Sequence, residues 1–136
     1  MGIVVTVKSV MTKNIIAVEK GDPVIKAINL MVKNNIGSVV VNDGGKPVGI
    51  LTERDIMKRV CPQELCTKKV SVGEVMSHPL ITIEADSRLG EAALLMLEKN
   101  IRRLLVVEKG KVVGIVTQKD IMRGTLETFM ALSMIR

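Results

Sequence analysis

The sequence contains two copies of the pattern Thr-x-x-Asp. In each copy the threonine hydroxyl and the aspartate carboxylate are close enough in sequence to act together in chemistry. Thr52 and Asp55 belong to the heptapeptide GILTERD, and Thr117 and Asp120 belong to GIVTQKD. A carboxylate can accept hydrogen bonds from two neighbouring hydroxyl groups at once, such as the 2′- and 3′-hydroxyls of a ribose. The same residues also fit a helix capping box, in which the hydroxyl and the carboxylate satisfy backbone N–H groups. The motif alone leaves both interpretations open.

A predicted apolar strand precedes each Thr-x-x-Asp motif, and each of these strands contains a glycine. The helix-capping interpretation does not explain this glycine. Gly49 and Gly114 occupy strand positions, where glycine is normally unfavourable and often marks a bulge or the close approach of another group. The helix start that follows favours an anion, because its unpaired N–H groups and the helix dipole are positive. Together with the paired hydroxyl and carboxylate, these features favour a nucleoside phosphate over a bare phosphate.

The two motifs belong to an internal duplication with an offset of 65 residues, the separation between Asp55 and Asp120. At this offset Val10-Met11 aligns with Val75-Met76 without a gap. Each copy predicts the order β-α-β-β-α, with a parallel right-handed β-α-β crossover followed by an antiparallel hairpin. The predicted strands are residues 15–18, 38–41 and 48–51 in the first copy and residues 80–83, 103–107 and 113–116 in the second.

Helix starts are expected after the first and third strands of each copy. Asp22-Pro23 offers an N-cap and a proline at the first helical position, and Asp86-Ser87 takes that part in the second copy. The last helix of each copy is expected to begin at Glu53 or at Gln118.

The predicted fold class is α+β: a tandem duplication of the β-α-β-β-α unit with pseudo-two-fold symmetry, plus a C-terminal helix. Residues 1–67 hold the first copy and the linker, and residues 68–136 hold the second copy with the terminal helix; together they form one compact module. The terminal segment, 124–136, predicts an amphipathic helix whose apolar stripe docks on its own domain or on a second subunit. The stripe consists of Leu126, Phe129, Met130 and Met134.

Composition narrows the classes of function. The 136 residues carry a formal net charge of +6, which suits an anionic partner. Among Phe, Trp and Tyr the sequence contains only Phe129, so it offers no support for stacking on nucleic-acid bases. No apolar run approaches the roughly 18 residues that span a bilayer, and no signal sequence is evident. We therefore expect a soluble cytoplasmic protein without a membrane partner.

The same composition argues against an enzyme and against a metal site. His78 is the only histidine, so the sequence offers no Ser-His-Asp set and too few ligands for zinc. Cys61 and Cys66, in CPQELC, are interpreted as linker thiols, with a disulfide as the alternative in a hyperthermophile. We expect neither catalysis nor a bound metal.

The duplicated pattern resembles a pair of CBS domains over about residues 8–125. The resemblance is carried by Gly-h-x-Thr-x-x-Asp, where h is apolar, at the end of each copy and by Val-Met followed by Thr or Ser upstream of it. It implies a regulatory, energy-sensing module without chemistry of its own, whose two clefts bind AMP or a related adenosyl nucleotide. It also implies a homodimer and an effector protein that the sequence does not name.

The resemblance assigns the ligand-binding residues by their positions in the motifs. Asp55 and Asp120 are expected on the ribose hydroxyls, and Thr52 and Thr117 beside the ribose or the phosphate. Adenine is expected against the first strand of each copy. Those residues are Ile16, Ala17 and Val18 in the first copy and Ile81, Thr82 and Ile83 in the second.

The phosphate candidates differ between the copies. The resemblance places a basic pair before the second strand; the second copy has Arg102-Arg103 there, whereas the first has Gly37-Ser38. Lys119 and Arg54, inside the Thr-x-x-Asp segments, are further candidates. We predict one stronger phosphate site, with its ribose on Asp55 and with Arg102, Arg103 and Lys119 near the phosphate. The other cleft, with Asp120 and only Arg54 nearby, is predicted to be weaker or to prefer a ligand with less charge.

Three other functions remain as alternatives. They are a purely structural dimerisation module without a physiological ligand, binding of S-adenosylmethionine, and binding of nucleic acid. Nucleic acid is the least expected, because no helix carries a dense basic stripe. The local concentration of positive charge lies at the linker, in Lys58, Arg59, Lys68 and Lys69.

Overall fold

The computed structural model describes residues 4–134, whose contacts form two compact units. One unit, Ile15–Leu80, contains the first Thr-x-x-Asp motif and is called the Asp55 unit. The other combines the described residues through Asn14 with those from Ile81 onward and is called the Asp120 unit. The predicted repeats divide the chain after residue 67, but the two units divide it differently. Residues 68–80 pack in the Asp55 unit, and residues 4–14 pack in the Asp120 unit.

The elements of the Asp55 unit are β1 (Ala17–Glu19), α2 (Val24–Asn34), β2 (Ser38–Asp43), β3 (Lys46–Thr52), α3 (Glu53–Asp55) and α4 (Val72–Val75). The three strands form a sheet in the order β1-β2-β3, with β1 parallel and β3 antiparallel to β2. Helix α3 continues directly into one π-helical turn, Ile56–Val60.

The Asp120 unit repeats this topology with the sheet order β4-β5-β6. Its short helix α1 comes from the start of the chain and takes the place that α4 has in the other unit. The elements are α1 (Val7–Val10), β4 (Thr82–Glu84), α5 (Leu89–Lys99), β5 (Arg103–Glu108), β6 (Lys111–Thr117) and α6 (Gln118–Ser133). The predicted α+β class and the β-α-β-β-α order of both copies are confirmed.

Each unit has its own aliphatic core, centred on the middle strand of its sheet. Residues 38–41 of β2 and 104–106 of β5 are buried on both faces, as expected for nearly continuous apolar strands. Helices α2 and α5 cover one face with equivalent positions at helical spacing. These positions are Val24, Ala27 and Met31 in α2, and Leu89, Ala92 and Met96 in α5.

The predicted N-caps at Asp22 and at Asp86-Ser87 are wrong by one or two residues. Helix α2 begins after Pro23 and α5 after Arg88, and neither flanking residue caps with its side chain. The reason is tertiary: Pro23 pairs with Ser71 and Arg88 with Thr6 in isolated β-bridges, which hold both residues in extended conformation.

Asp22 has a different role, in the turn before α2. Its carboxylate accepts a hydrogen bond from the Glu19 N–H (2.9 Å) and pairs with the Lys26 ammonium (3.2 Å). These contacts, the backbone hydrogen bond first, lower the pKa of Asp22 below its ordinary value. Hydrogen bonds from the Ser71 backbone and hydroxyl likewise lower the pKa of Glu74, in the capping box that opens α4.

The last helix and the predicted terminal helix are one continuous element, α6, which begins at Gln118 as expected and ends at Ser133. Its apolar stripe is exposed: Leu126, Phe129 and Met130 retain 58%, 69% and 54% of their accessible surface. The stripe therefore does not dock on its own unit. The last two residues of the predicted segment, 135–136, lie outside the described residues.

Candidate functional site

The Thr-x-x-Asp motif of the Asp55 unit forms a complete capping box between β3 and α3. The Thr52 N–H donates to Asp55 Oδ2 (2.9 Å), and Thr52 Oγ1 accepts from the Asp55 N–H (3.1 Å). The Thr52 hydroxyl also lies 3.1 Å from Asp55 Oδ2. Asp55 is only 4% exposed, so these contacts satisfy a buried carboxylate as well as a helix start.

The Asp120 unit repeats this capping box between β6 and α6. The Thr117 N–H donates to Asp120 Oδ2 (2.9 Å), and Thr117 Oγ1 accepts from the Asp120 N–H (3.2 Å). Asp120 is 5% exposed. The capping interpretation of the motif is therefore confirmed in both copies, and a ligand that used these carboxylates would share them with the backbone.

The second oxygen of each carboxylate has a different donor in the two units. In the Asp55 unit the Ser77 hydroxyl donates to Asp55 Oδ1 (2.7 Å). In the Asp120 unit the Arg123 guanidinium donates to Asp120 Oδ1 (3.0 Å). The equivalent oxygens thus face a neutral hydroxyl in one unit and a cation in the other.

Both units also use an arginine to satisfy the carbonyls at the end of their short helix. Arg59 donates to the Met76 carbonyl (2.8 Å) after α4, and Arg123 donates to the Val10 carbonyl (3.3 Å) in α1. Arg59 stands four residues after its motif aspartate, on the π-helical turn, and its Nε remains 3.9 Å from Asp55 Oδ1. Arg123 stands three residues after Asp120 on a regular α-helix and reaches the carboxylate directly.

Gly49 and Gly114 leave space for other segments of the same chain to pack against their strands. These segments are Val-Met-Ser at 75–77 and Val-Met-Thr at 10–12. A Cβ on Gly49 would lie 2.5 Å from Met76 Sδ and 2.9 Å from the Ser77 carbonyl oxygen. Gly114 has the same environment, formed by Met11 (2.6 Å) and the Thr12 carbonyl (2.9 Å). The expected close approach is therefore found, and the groups that approach are a methionine side chain and the backbone carbonyl of the residue after it. The repeated Val-Met segment was the signal in the sequence for this contact.

The strand that carries each glycine is irregular and gains an additional pairing. The β2–β3 register shifts between Val41 and Asn42, opposite Gly49, and the β5–β6 register shifts between Val106 and Val107. Ile50 exchanges both backbone hydrogen bonds with Ser77, at 3.0 and 2.8 Å. This pairing places Ser77 beside Asp55.

Comparison with known proteins decides the family of this fold. The family model of the CBS domain matches twice, at residues 7–61 and 72–127. The chain belongs to the CBS-domain family. It is 39% identical over 121 residues to uncharacterized protein MK0525 of Methanopyrus kandleri, covering 88% of this chain and 62% of that protein. The chain thus spans less than two thirds of that relative's length.

Solved structures share both the fold and the pairing of CBS domains. An uncharacterized conserved protein from Pyrococcus horikoshii is 36% identical with a TM-score of 0.83, covering 92% of this chain and 95% of that one. A hexameric CBS-CP12 protein from bloom-forming cyanobacteria is 26% identical with a TM-score of 0.81, covering 89% of this chain and 72% of that one.

The remaining predicted residues of the CBS motifs are divided between the units. Arg103 is the first residue of β5 and pairs with Thr117, and the Arg102 carbonyl accepts from the Gln118 N–H (2.8 Å). Arg102, Arg103 and Lys119 thus belong to the Asp120 unit, whereas Arg54 follows Thr52 in the Asp55 unit. The predicted grouping of Arg102 and Arg103 with Asp55 joins residues of both units and stays a prediction.

The predicted adenine residues lie at the start of β1 and β4. Val18 and Ile83 are buried within the two cores, so their side chains are committed to packing. Ile16 and Ile81 are half-buried, and their carbonyls accept from the N–H groups of Val40 (3.0 Å) and Leu105 (3.2 Å). Ala17 is half-buried and Thr82 is exposed.

Other candidate chemistry in the CBS pair is sparse. Within residues 4–134, no three His, Cys, Asp or Glu side chains are grouped to hold a metal ion, and no helix is long and apolar enough to cross a bilayer. Cys61 and Cys66 are free, exposed thiols. A largely apolar groove of about 370 Å³ in the Asp120 unit contains none of the predicted site residues. Its lining includes Val4, Val5, Leu89, Phe129 and Leu132.

Proposed function

We propose that this CBS-domain pair binds an adenosine nucleotide of the AMP, ADP and ATP class and acts as a regulatory, energy-sensing module through a partner protein. The observation that carries the proposal is a buried carboxylate in each unit whose second oxygen, Oδ1, takes no part in the capping box and accepts a hydrogen bond from a side chain, Ser77 or Arg123. A pair of ribose hydroxyls can donate to such an oxygen. The capping box holds the carboxylate in a single orientation, so little ordering is required on binding.

The remaining groups supply the other parts of a nucleotide site. The exposed cations of the two motifs, Arg54 and Lys119, follow a helix start and favour a phosphate. The half-buried residues just before β1 and β4, Ile16 and Ile81, offer apolar contact for adenine. The overall charge of +6 assists the approach of an anionic ligand.

Thermal unfolding with AMP, ADP, ATP, S-adenosylmethionine and NAD tests this proposal. A ligand at 100 times its Kd stabilises the folded protein by about 2.7 kcal/mol, which raises the Tm by several degrees. The double variant Asp55→Asn and Asp120→Asn is expected to lose most of this rise, because hydrogen bonds to a charged group contribute about 1.5–3 kcal/mol each. Asp43→Asn is the matched control, since Asp43 is exposed and forms a surface ion pair with Lys20.

Two outcomes would contradict the proposal. A Tm that is indifferent to every nucleotide favours the purely structural dimerisation module. A ligand-induced rise in Tm that persists in the double variant would show that the ligand binds away from the motif aspartates. A response to S-adenosylmethionine alone would change the ligand class and keep the site.

We also propose that the protein forms a homodimer through the exposed stripe of α6. Leu126, Phe129 and Met130 expose a continuous apolar surface that water solvates poorly, and the related CBS-CP12 protein is hexameric. Replacing Phe129 and Met130 with glutamate is expected to shift the protein to monomer in sedimentation equilibrium. Lys111→Glu, an exposed position at the start of β6 and not on α6, is the control. A wild-type protein that is monomeric at high concentration would contradict the proposal.

A further inference from the structure

The two motif aspartates differ in what a ligand must displace, and the difference lies at Oδ1. Asp55 Oδ1 accepts from the Ser77 hydroxyl, which can donate and accept at the same time, whereas the nearby Arg59 Nε is 3.9 Å away, beyond hydrogen-bond distance. Asp120 Oδ1 faces the Arg123 guanidinium, which can only donate. A ribose hydroxyl can therefore join the hydrogen bonds around Asp55, whereas at Asp120 it competes with a cation.

The position of Arg123 follows from the packing of α6. Gly124 is buried, and a Cβ there would lie 2.7 Å from Val10 Cγ1. The arginine that satisfies the end of the short helix therefore cannot stand at 124, the position that corresponds to Arg59 in the duplication. It stands one residue earlier, where a regular helix brings it onto the motif carboxylate.

We propose that Arg123 is a specificity-determining residue that closes the Asp120 site to uncharged nucleosides. The inference rests on the proposed function, and it adds that the Asp55 site accepts adenosine while the Asp120 site accepts it poorly. A ligand phosphate can draw the guanidinium away from Asp120, because the Arg123 side chain is 53% exposed and ends in a phosphate-binding fork. The Asp120 site thus discriminates between a nucleotide and its nucleoside.

The test isolates the Asp120 site by placing every variant in an Asp55→Asn background. Calorimetric titration with adenosine is expected to show about fivefold tighter binding when Arg123→Met is added, the size expected for a half-exposed ion pair. AMP is expected to bind less tightly in the same variant, so the ratio of AMP to adenosine affinity falls. The adenosine affinity of Arg123→Lys is expected to lie between those of Arg123 and Arg123→Met. Lys111→Met, which changes an exposed lysine at the start of β6, is the control.

A second measurement needs no replacement of Arg123. Adenosine is uncharged, so raising the salt concentration is expected to strengthen its binding in the Asp55→Asn protein by screening the Asp120–Arg123 pair. In the protein that also carries Arg123→Met, this increment is expected to vanish. The difference between the two salt series removes any general effect of salt on the nucleoside.

Opposite results would overturn the inference. Weaker or unchanged adenosine binding in Arg123→Met, or identical salt dependence in both proteins, shows that Arg123 does not compete for the carboxylate. If neither adenosine nor AMP binds to the wild type or to any variant, the proposed function itself fails. That outcome differs from the first, in which binding persists and only the effect of Arg123 is missing.

Discussion

Replacing Gly49 with valine is expected to lower the free energy of unfolding by about 2–4 kcal/mol, through overpacking and the loss of strand pairing. The new Cβ would lie 2.5 Å from Met76 Sδ and 2.9 Å from the Ser77 carbonyl oxygen. The methionine can rotate away, but the carbonyl is held by the hydrogen bond that it accepts from the Ile50 N–H (3.0 Å). Chemical denaturation measures the loss.

Two further variants separate these contributions. Shortening Met76 to alanine in the Gly49→Val protein is expected to restore only part of the lost stability, because the clash with the Ser77 carbonyl remains. Gly21→Ala in the same unit is the control: a Cβ there has no neighbour within 4 Å, so stability should be unchanged or slightly higher. Full tolerance of valine at 49 would show that the Val-Met-Ser segment does not pack against β3 as described.

Replacing Asp55 with alanine is expected to cost about 2–3 kcal/mol of stability in the absence of any ligand. The change removes the capping box, which contributes about 1 kcal/mol, and leaves the Thr52 N–H and the Ser77 hydroxyl without their acceptor. Asp55→Asn retains oxygen and shape and should cost less. Denaturation of both variants without ligand measures the structural role of the aspartate separately from ligand binding.

A matched aspartate shows whether the loss is specific. Asp43→Ala breaks an exposed ion pair with Lys20, in which each side chain retains about half of its surface, and should change stability by less than about 0.5 kcal/mol. An equally small effect at Asp55 would contradict the capping role. The motif aspartate would then be present for a ligand alone.

The duplication and the alternation of apolar strands with helical periodicity were sufficient to predict both copies of the β-α-β-β-α order. These signals are local: β2 and β5 are apolar enough to be buried on both faces, and α2 and α5 repeat apolar residues at helical spacing. The capping boxes were also predictable, because all their groups lie within four consecutive residues. Each of these features depends on neighbours in the chain.

The starts of α2 and α5 were mispredicted because their conformation depends on distant residues, whereas the predicted starts at Glu53 and Gln118 were right. Asp22 has the right side chain for an N-cap, but the bridge between Pro23 and Ser71 keeps the backbone extended until residue 24. The role of Gly49 was visible only in part. A strand glycine predicts that something comes close, but the identity of that group, Met76, is set by contacts across the fold.

The sequence by itself determined the repeat, the fold class, the family resemblance and the aspartates on which the proposed function depends. Tertiary structure alone decided which donors meet those aspartates. Ser77 reaches Asp55 from 22 residues away because its segment pairs with β3. Arg123 reaches Asp120 through the i,i+3 spacing of α6, and close packing at Gly124 excludes a side chain from the position that corresponds to Arg59. The contact of Ser77 and the exclusion at Gly124 depend on the distances between elements, which a one-dimensional pattern does not contain.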